Sequence, residues 1–310
     1  MKKGPKQSSD KRIYADMTLV LVTVAWGLSN LMIDLCLEEM QALTLNAYRF
    51  LGAFIMVAVV MFPRLRNTNR ETVRASAILS VLIFVVYALN TYGVKYTLVS
   101  NAGFLIALSV LFVPILSIFI KKEMPERKVF IIAVLCTIGV GMMTLDSNFH
   151  VAFGDILCLL CAIIYSIYII INEIFVKSEE IDAFQVGVYQ MGFAGILFTI
   201  SSFILEDPVI PKSGRVWCYL LFLMLISTAF AFIAQSIAQQ YTDASRVGVI
   251  YTLEPVFSGV AARLVLNEIL LPRAYVGEVI LVLSMVSMEL DFKGLFGRKS
   301  GKKTGTHEDP

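Results

Sequence analysis

A glutamate and a proline stand side by side, Glu254-Pro255, in the middle of an otherwise apolar stretch from Arg246 to Glu268, RVGVIYTLEPVFSGVAARLVLNE. A carboxylate at lipid depth is expensive to keep, and it is read either as a group that binds a substrate amine or carries a proton, or as a protonated carboxyl bonded across helices. The proline cannot donate to the carbonyl one turn earlier, so it bends the helix and frees an acceptor. Other polar side chains recur at helical spacing inside apolar runs. Trp26, Asn30 and Asp34 lie four apart, and Tyr87, Asn90 and Thr91 share a face. Tyr165, Tyr168 and Asn172 form an i, i+3, i+7 stripe, and Gln190 follows Tyr189. Gln235 and Gln239 are one turn apart, and Tyr251, Glu254 and Ser258 fall on one side. Residues so spaced line one face of a helix.

Phenols, amides and indoles have no reason to face acyl chains. They either hydrogen-bond between helices or line a wet cavity. Because most of the apolar runs contribute, a shared cavity is the expectation, lined by Trp26, Asn30, Tyr87, Asn90, Tyr165, Tyr168, Asn172, Gln190, Gln235, Tyr251 and Glu254. Such a lining, aromatic and amide-rich with few charges, suits a small neutral or zwitterionic solute with an apolar part better than a polyanion. Arg49 is expected either to pair with a carboxylate such as Asp34 or Glu254, or to snorkel toward the interface. Tyr14, Trp217 and Tyr219 lie nearer the ends of their runs and read as interfacial anchors.

The elements that must hold these residues are membrane spans. The 310 residues are 57% hydrophobic and only 16% charged, with a mean hydropathy of +0.76, against about 25% charged in soluble domains. Ten apolar runs approach the roughly 20 residues that cross a bilayer: 16–36, 43–62, 74–95, 98–120, 128–145, 153–176, 183–205, 215–240, 244–266 and 272–291. Helix is required of them, since backbone groups in lipid must pair within the segment. Lys and Arg cluster in the N-terminal segment, in the loop after the second run (Arg64, Arg66, Arg70, Arg74), in the loop after the fourth (Lys121, Lys122, Arg127, Lys128) and in the C-terminal tail. Basic loops mark the cytoplasmic side, so both termini are expected there. The first run is too long for a signal peptide core and is read as retained.

The chain also repeats itself. Tyr96 and Tyr241 stand 145 positions apart, and the same offset pairs Thr97 with Thr242, Ser100 with Ser245, Gly103 with Gly248, Leu108 with Leu253, Phe112 with Phe257 and Glu123 with Glu268. Pro114 and Pro255 are four short of that offset, about one helical turn, and both are expected to act as hinges. Near the start of each half the offset is 139, matching Asp16 to Asp155 and Trp26 to Tyr165. A unit of five spans is odd, so its second copy enters the membrane upside down. The expected fold is an all-α integral membrane protein of ten transmembrane helices in two inverted five-helix repeats. Its divisions are an N-terminal tail (1–15), the two units (16–146 and 147–292) and a C-terminal tail (293–310).

Several function classes lack the residues they need. The two histidines, His150 and His307, lie outside the spans, which removes an intramembrane zinc or serine hydrolase. Cys36, Cys136, Cys158, Cys161 and Cys218 lie in or beside apolar runs and read as packing residues. No glycine-rich phosphate loop occurs. No metal, cofactor or nucleic-acid partner is expected; the partners are a small-molecule substrate and the bilayer, with the oligomeric state left open. A structural or sensory membrane protein is the rival reading, and it has no need of polar stripes at mid-span.

Ala25-Trp26-Gly27, Tyr48-Arg49-Phe50, Ser100-Asn101-Ala102-Gly103, Pro114, Glu123, Arg246 to Tyr251, Glu254-Pro255-Val256-Phe257 and Asn267-Glu268, taken in order with the repeat, resemble the EamA-type domain of the drug/metabolite transporter superfamily over nearly the whole chain. The resemblance implies a ten-helix inverted repeat in the bacterial inner membrane. It also implies secondary export of amino acids or related metabolites, with solute exchange of the nucleotide-sugar kind as the neighbouring activity in the superfamily. Lys121-Lys122-Glu123 and Asn267-Glu268 depart from the family's usual Gly-Glu, so neither glutamate is given a transport role.

Overall fold

A computed structural model describes residues 9–96, 105–122, 124–144, 152–258, 260 and 272–289, with the side chains at 9, 30, 31, 34, 94, 95, 143, 144, 288 and 289 outside that description. Among the described residues the chain is helix and connecting turn, without a strand. The helices are α1 (Ser9–Leu37), α2 (Ala42–Val60), α3 (Arg70–Lys95), α4 (Ser109–Lys121), α5 (Arg127–Thr144), α6 (Phe153–Val176), α7 (Ala183–Leu205), α8 (Gly214–Ala238), α9 (Ala244–Tyr251) and α10 (Pro272–Glu289). A single turn, Phe62–Leu65, follows α2. Among the described residues, five helices are long and apolar enough to cross a membrane by length and composition: Ala42–Val60, Arg70–Gly93, Phe153–Val176, Ala183–Leu205 and Gly214–Ala238.

The helix starts are written in short polar side chains. Asn69 Oδ1 accepts from Thr72 N at 2.8 Å to begin α3, and Asp182 Oδ1 accepts from Phe184 N and Gln185 N at 2.8 and 3.1 Å to begin α7. Each cap meets backbone donors that the helix cannot satisfy itself. Large apolar side chains such as Val59, Phe119, Phe203 and Ile204 are more than 70% exposed. A surface so greasy is what a bilayer-facing exterior looks like and what a water-facing one avoids.

The packing pattern has an internal symmetry. α2 lies along α7, α5 along α10, and α4 against α9; α3 lies along α6 as α1 lies along α8. Exchanging the first five helices for the last five in order maps this set of pairs onto itself. The closest crossing is α2 on α7. A methyl group added at Gly195 would sit 2.5 Å from Leu51 N and 2.7 Å from Leu51 Cα, distances backbone cannot relieve without moving the helix. Gly195→Ala is therefore expected to destabilise the protein by about 1–3 kcal/mol, as overpacking does. The check is thermal melting in detergent, where Gly214→Ala, whose site is open within 4 Å, is the neutral control.

The polar contacts sort the helix ends into two layers. At one end Asp16 of α1 meets Arg246 of α9 (2.9 Å), Arg64 after α2 faces Asp182 before α7 (3.8 Å), and Lys121 of α4 meets Glu173 of α6 (2.8 Å). At the other, Glu206 after α7 takes the first amides of α2, Leu43 N and Thr44 N, at 2.9 and 2.8 Å, and Tyr96 packs against Phe153. Consecutive helices thus run antiparallel. The first layer carries Lys11, Arg12, Arg64, Arg66, Arg70, Lys121 and Lys177 together with Glu173, Glu179, Glu180 and Asp182, while Glu38, Glu39, Glu206 and Asp207 lie in the second with fewer cations, Lys212 and Arg215.

Candidate functional site

The centre of the bundle is aromatic. Trp26 of α1 meets Tyr251 of α9 edge-on, ring centroids 5.0 Å apart, and Phe232 of α8 at 6.1 Å. Tyr251 stacks on Tyr165 of α6 at 6.3 Å, and Tyr165 on Tyr168 at 6.0 Å. Tyr87 of α3 closes the group against Phe50 and Phe232, at 5.0 and 6.3 Å. Glu254 is half-buried in the helical turn 254–258, near enough to Tyr87, Tyr165 and Tyr251 for its charge to act on all three phenols. Gly27 lets α1 approach that turn. A Cβ there would stand 2.9 Å from Ser258 N and 3.0 Å from Glu254 O.

The amides form a chain beside the rings. Tyr168 OH donates to Gln190 Oε1 (3.2 Å), and Gln190 Nε2 donates to Ser236 Oγ (3.2 Å). Gln239 Oε1 accepts from Asn172 Nδ2 and from Gln235 Nε2, while Gln239 Nε2 donates to Ile169 O at 3.0 Å. Tyr251 OH, Gln235 Oε1 and Asn172 Oδ1 are buried with no hydrogen-bond partner among the described residues. Buried polar atoms are nearly always paired, so each of these is unspent capacity that a solute or water can take up.

Of the residues singled out from the sequence, Trp26, Tyr168, Asn172, Gln190, Gln235 and Tyr251 are buried in this group, and Tyr87, Tyr165 and Glu254 are half-buried beside them. Asn90 is half-buried on α3. The side chains of Asn30 and Asp34 lie outside the described residues, as do Gly103, Glu123, Arg263 and Glu268. Tyr189 is turned elsewhere. Its hydroxyl donates to Leu65 O at 2.9 Å and ties α7 to the end of α2. Pro114 is inside α4, six residues after the chain is interrupted at Leu108, and Pro255 follows the interruption at Thr252-Leu253 by two. At both breaks amides reach back three residues instead of four: Leu111 N to Leu108 O, and Thr252 N to Val249 O with Leu253 N to Ile250 O. α4 and α9, which adjoin these two breaks, pack on each other.

The sequence pattern missed one feature. Within α8, Leu223–Phe230 is a π-helix, a rare form found frequently at functional sites. Two side chains converge on it. Trp26 Nε1 donates to Ser227 O at 3.0 Å, and Arg49 Nη2 donates to the same carbonyl at 3.1 Å and to Ser227 Oγ at 2.8 Å. Arg49 Nε donates to Thr228 Oγ1 at 2.6 Å, and the guanidinium lies 5.1 Å from the Tyr87 ring centroid. Arg49 is 1% exposed. It therefore does not snorkel, and among the described residues its hydrogen-bond partners are neutral. The Ser227-Thr228 pair at mid-run was the available signal.

Residues 13–145 and 152–289 each match the model of the EamA-like transporter family. An "Uncharacterized transporter" of Archaeoglobus fulgidus is 28% identical over 286 residues, 90% of this chain and 87% of that protein. The "Uncharacterized transporter YetK" of Bacillus subtilis is 24% identical over 276 residues, 83% and 81% of the two chains. A solved structure titled "Crystal structure of protein" superposes with a TM-score of 0.77 at 16% identity, covering 93% of this chain and 99% of that one, which shows a shared fold. With the family pattern present twice and spanning most of the sequence, this chain belongs to the EamA-like transporter family.

Proposed function

We propose that the protein is a secondary transporter that exports amino acids or related small metabolites by alternating access, in a bacterial inner membrane, with both termini in the cytoplasm. The observation that carries the reading is the aromatic and amide centre, where Tyr251 OH, Gln235 Oε1 and Asn172 Oδ1 keep unspent hydrogen-bonding capacity beside Glu254. Rings receive the apolar part of a solute, and Glu254 receives its ammonium group or a proton.

The architecture in this reading is ten spans in two inverted units, 16–146 and 147–292. The self-mapping pairs α2·α7, α4·α9 and α5·α10, and the exchange of α3·α6 for α1·α8, support an approximate dyad in the membrane plane. The basic layer of helix ends supports its cytoplasmic placement. Half-helices on the far sides of Pro114 and Pro255 swing to open one face at a time.

The test is flux into and out of proteoliposomes, screened across amino acids and metabolites, with and without a pH gradient. Glu254→Gln is expected to lower flux of an amine-bearing substrate about thirtyfold or more, the effect of removing one member of a buried charge pair, and to flatten its pH dependence. Full transport with an unchanged pH profile in that variant would end the assignment to Glu254. No flux of any solute would end the transporter reading at this level of detail.

A further inference from the structure

A concave feature lies away from the central rings. α1 and α8 run antiparallel at the basic layer, and between them is a groove of about 610 Å³. Its α1 wall is Lys11, Tyr14 and Thr18, with Ala15 in the floor; its α8 wall runs from Phe230 through Ile237 to Tyr241, with Ala234 and Ala238 in the floor. The alanines let the two helices approach while the larger residues rise on either side. Tyr14 is 71% exposed, Phe230 40% and Ile237 38%, so the groove opens sideways on the exterior of the bundle. Thr18 spends its hydroxyl on Tyr14 O at 2.8 Å, which removes that donor from the groove.

Among the described residues the groove has one charged side chain, and it stands at the rim. Lys11 Nζ lies 5.6 Å from the centroid of the Tyr241 ring; its chain neighbours Asp10 and Arg12, of opposite charge, are outside the lining. From Ala238 to Phe230 is eight helical residues, about 12 Å of axis at 1.5 Å per residue. Tyr241 and Lys11 extend the length beyond that to roughly 15 Å, half of a hydrocarbon core of about 30 Å. The groove is therefore one leaflet deep, apolar along its length, open to the lipid phase, and positive where headgroups lie.

We propose that this groove binds an anionic phospholipid, one acyl chain lying between α1 and α8 and its phosphate on Lys11. The tyrosines at its rim sit where amphipathic rings belong, at headgroup level. Juxtamembrane basic residues attract anionic headgroups, and a floor of small residues allows close packing of a chain against the helices. The site rests on the chain spanning a membrane and not on what it carries, so it stands or falls separately from the transport reading.

The test uses the full chain in nanodiscs of equal parts phosphatidylglycerol and phosphatidylcholine, transferred to detergent and examined by native mass spectrometry. Retained lipid is expected to favour phosphatidylglycerol by about fivefold, the weight of one basic side chain at an anionic surface. Lys11→Gln is expected to abolish that preference. Arg66→Gln, on the same layer outside the groove, is expected to leave it unchanged. Ala234→Leu, which fills the floor, is expected to reduce retention of both lipids. If Ala234→Leu fails to fold, Thr18→Leu tests the same groove from the other helix. Equal retention of the two lipids, or a preference that survives Lys11→Gln, overturns the proposal. So does a dimer peak in place of lipid adducts, which would make the face an interface between copies.

Discussion

Arg49→Ala will lower the melting temperature of the detergent-solubilised protein by about 5–8 °C, more than any other single truncation in α2. The guanidinium makes three hydrogen bonds to buried acceptors, Thr228 Oγ1, Ser227 Oγ and Ser227 O, and hydrogen bonds from a charged donor contribute about 1.5–3 kcal/mol each. It also fills space between Phe50 and Tyr87, with ring centroids 5.6 and 5.1 Å from Cζ. Removing it leaves a cavity and strips the π-helical segment of most of its side-chain support, a loss of about 3–5 kcal/mol. At about 2.1 cal/mol/K of unfolding entropy per residue, a loss of that size corresponds to roughly 5–8 °C in a chain of 310 residues. Arg49→Lys is expected to recover little, because a single ammonium cannot reproduce the fork that reaches Thr228 and Ser227 together. Arg49→Met, which keeps volume and removes the buried charge, is expected to retain more stability than Arg49→Ala, as apolar replacements of buried ions do. A melt of Arg49→Ala within 2 °C of the parent, a shift too small for a buried hydrogen-bonded group, would show that the π-helical segment holds itself.

That arginine also marks where reading from sequence runs out. The polar stripes were legible because an amide or phenol at lipid depth needs a reason, and helical spacing says which of them share a face. Trp26, Tyr87, Tyr165, Tyr168, Asn172, Gln190, Gln235 and Tyr251 accordingly face inward together. The repeat was legible because identities recur at one offset, and each half matches the same family. The partner of Arg49 was not legible. A search for a carboxylate pointed to Asp34 or Glu254, whereas the described partners are hydroxyls and a carbonyl on α8. Spacing rules assume 3.6 residues per turn, and the wider turns of Leu223–Phe230 rotate everything after them relative to that grid. Periodicity places Gln235 and Gln239 on one face correctly, but it does not say which face.

Charged contacts between distant parts of the chain were hidden for a different reason. Asp16 and Arg246 are 230 positions apart, yet their side chains meet at 2.9 Å. The repeat had matched Asp16 with Asp155, but the two have different work. Asp155 Oδ2 accepts from Ala152 N at 2.7 Å to start α6, while Asp16 holds α1 to α9. Their places in the bundle explain the divergence: Asp16 lies at the start of α1, beside Arg246, and Asp155 at the start of α6, at the opposite end from Glu173 and Lys177, so one sequence feature meets two electrostatic surroundings. Lys121 shows the same limit. From sequence it counts as one positive charge orienting a loop; in the structure it is a ligand of a buried carboxylate.

That carboxylate carries the second large effect. Glu173 is 1% exposed and closes the basic end of the bundle: Oε1 accepts from Lys121 Nζ at 2.8 Å and from Lys177 Nζ at 2.6 Å, and Oε2 accepts from Ala244 N at 2.9 Å. Lys177 Nζ also meets Asp243 Oδ1 at 2.8 Å. One side chain thus joins the end of α4, the end of α6 and the start of α9. Glu173→Ala leaves the buried first amide of α9 without its acceptor and two ammonium groups without their shared counter-ion, a loss of about 3–5 kcal/mol. The fall in melting temperature is expected to match that of Arg49→Ala. Glu173→Gln keeps an acceptor for Ala244 N but loses the charge, so an intermediate fall is expected.

The pH dependence follows from the neighbours at this end. Burial opposes the charge on Lys177, but Glu173 and Asp243 outweigh it and hold the ammonium above its usual range. Its contribution is then complete below that range and is lost as pH rises through the higher folded value. Burial likewise opposes ionisation of Asp243, and Lys177 outweighs it and keeps the carboxyl below its usual range. Its contribution is complete above that range and is lost as pH falls through the lower folded value. The parent's melting temperature should therefore be flat in this respect between roughly pH 4.5 and 10 and fall on both sides. Lys177→Met should melt lower than the parent within that window and lose the fall on the alkaline side. If Lys177→Met and the parent trace parallel curves from acid to alkali, the four charged groups at this end do not bind α4, α6 and α9 together.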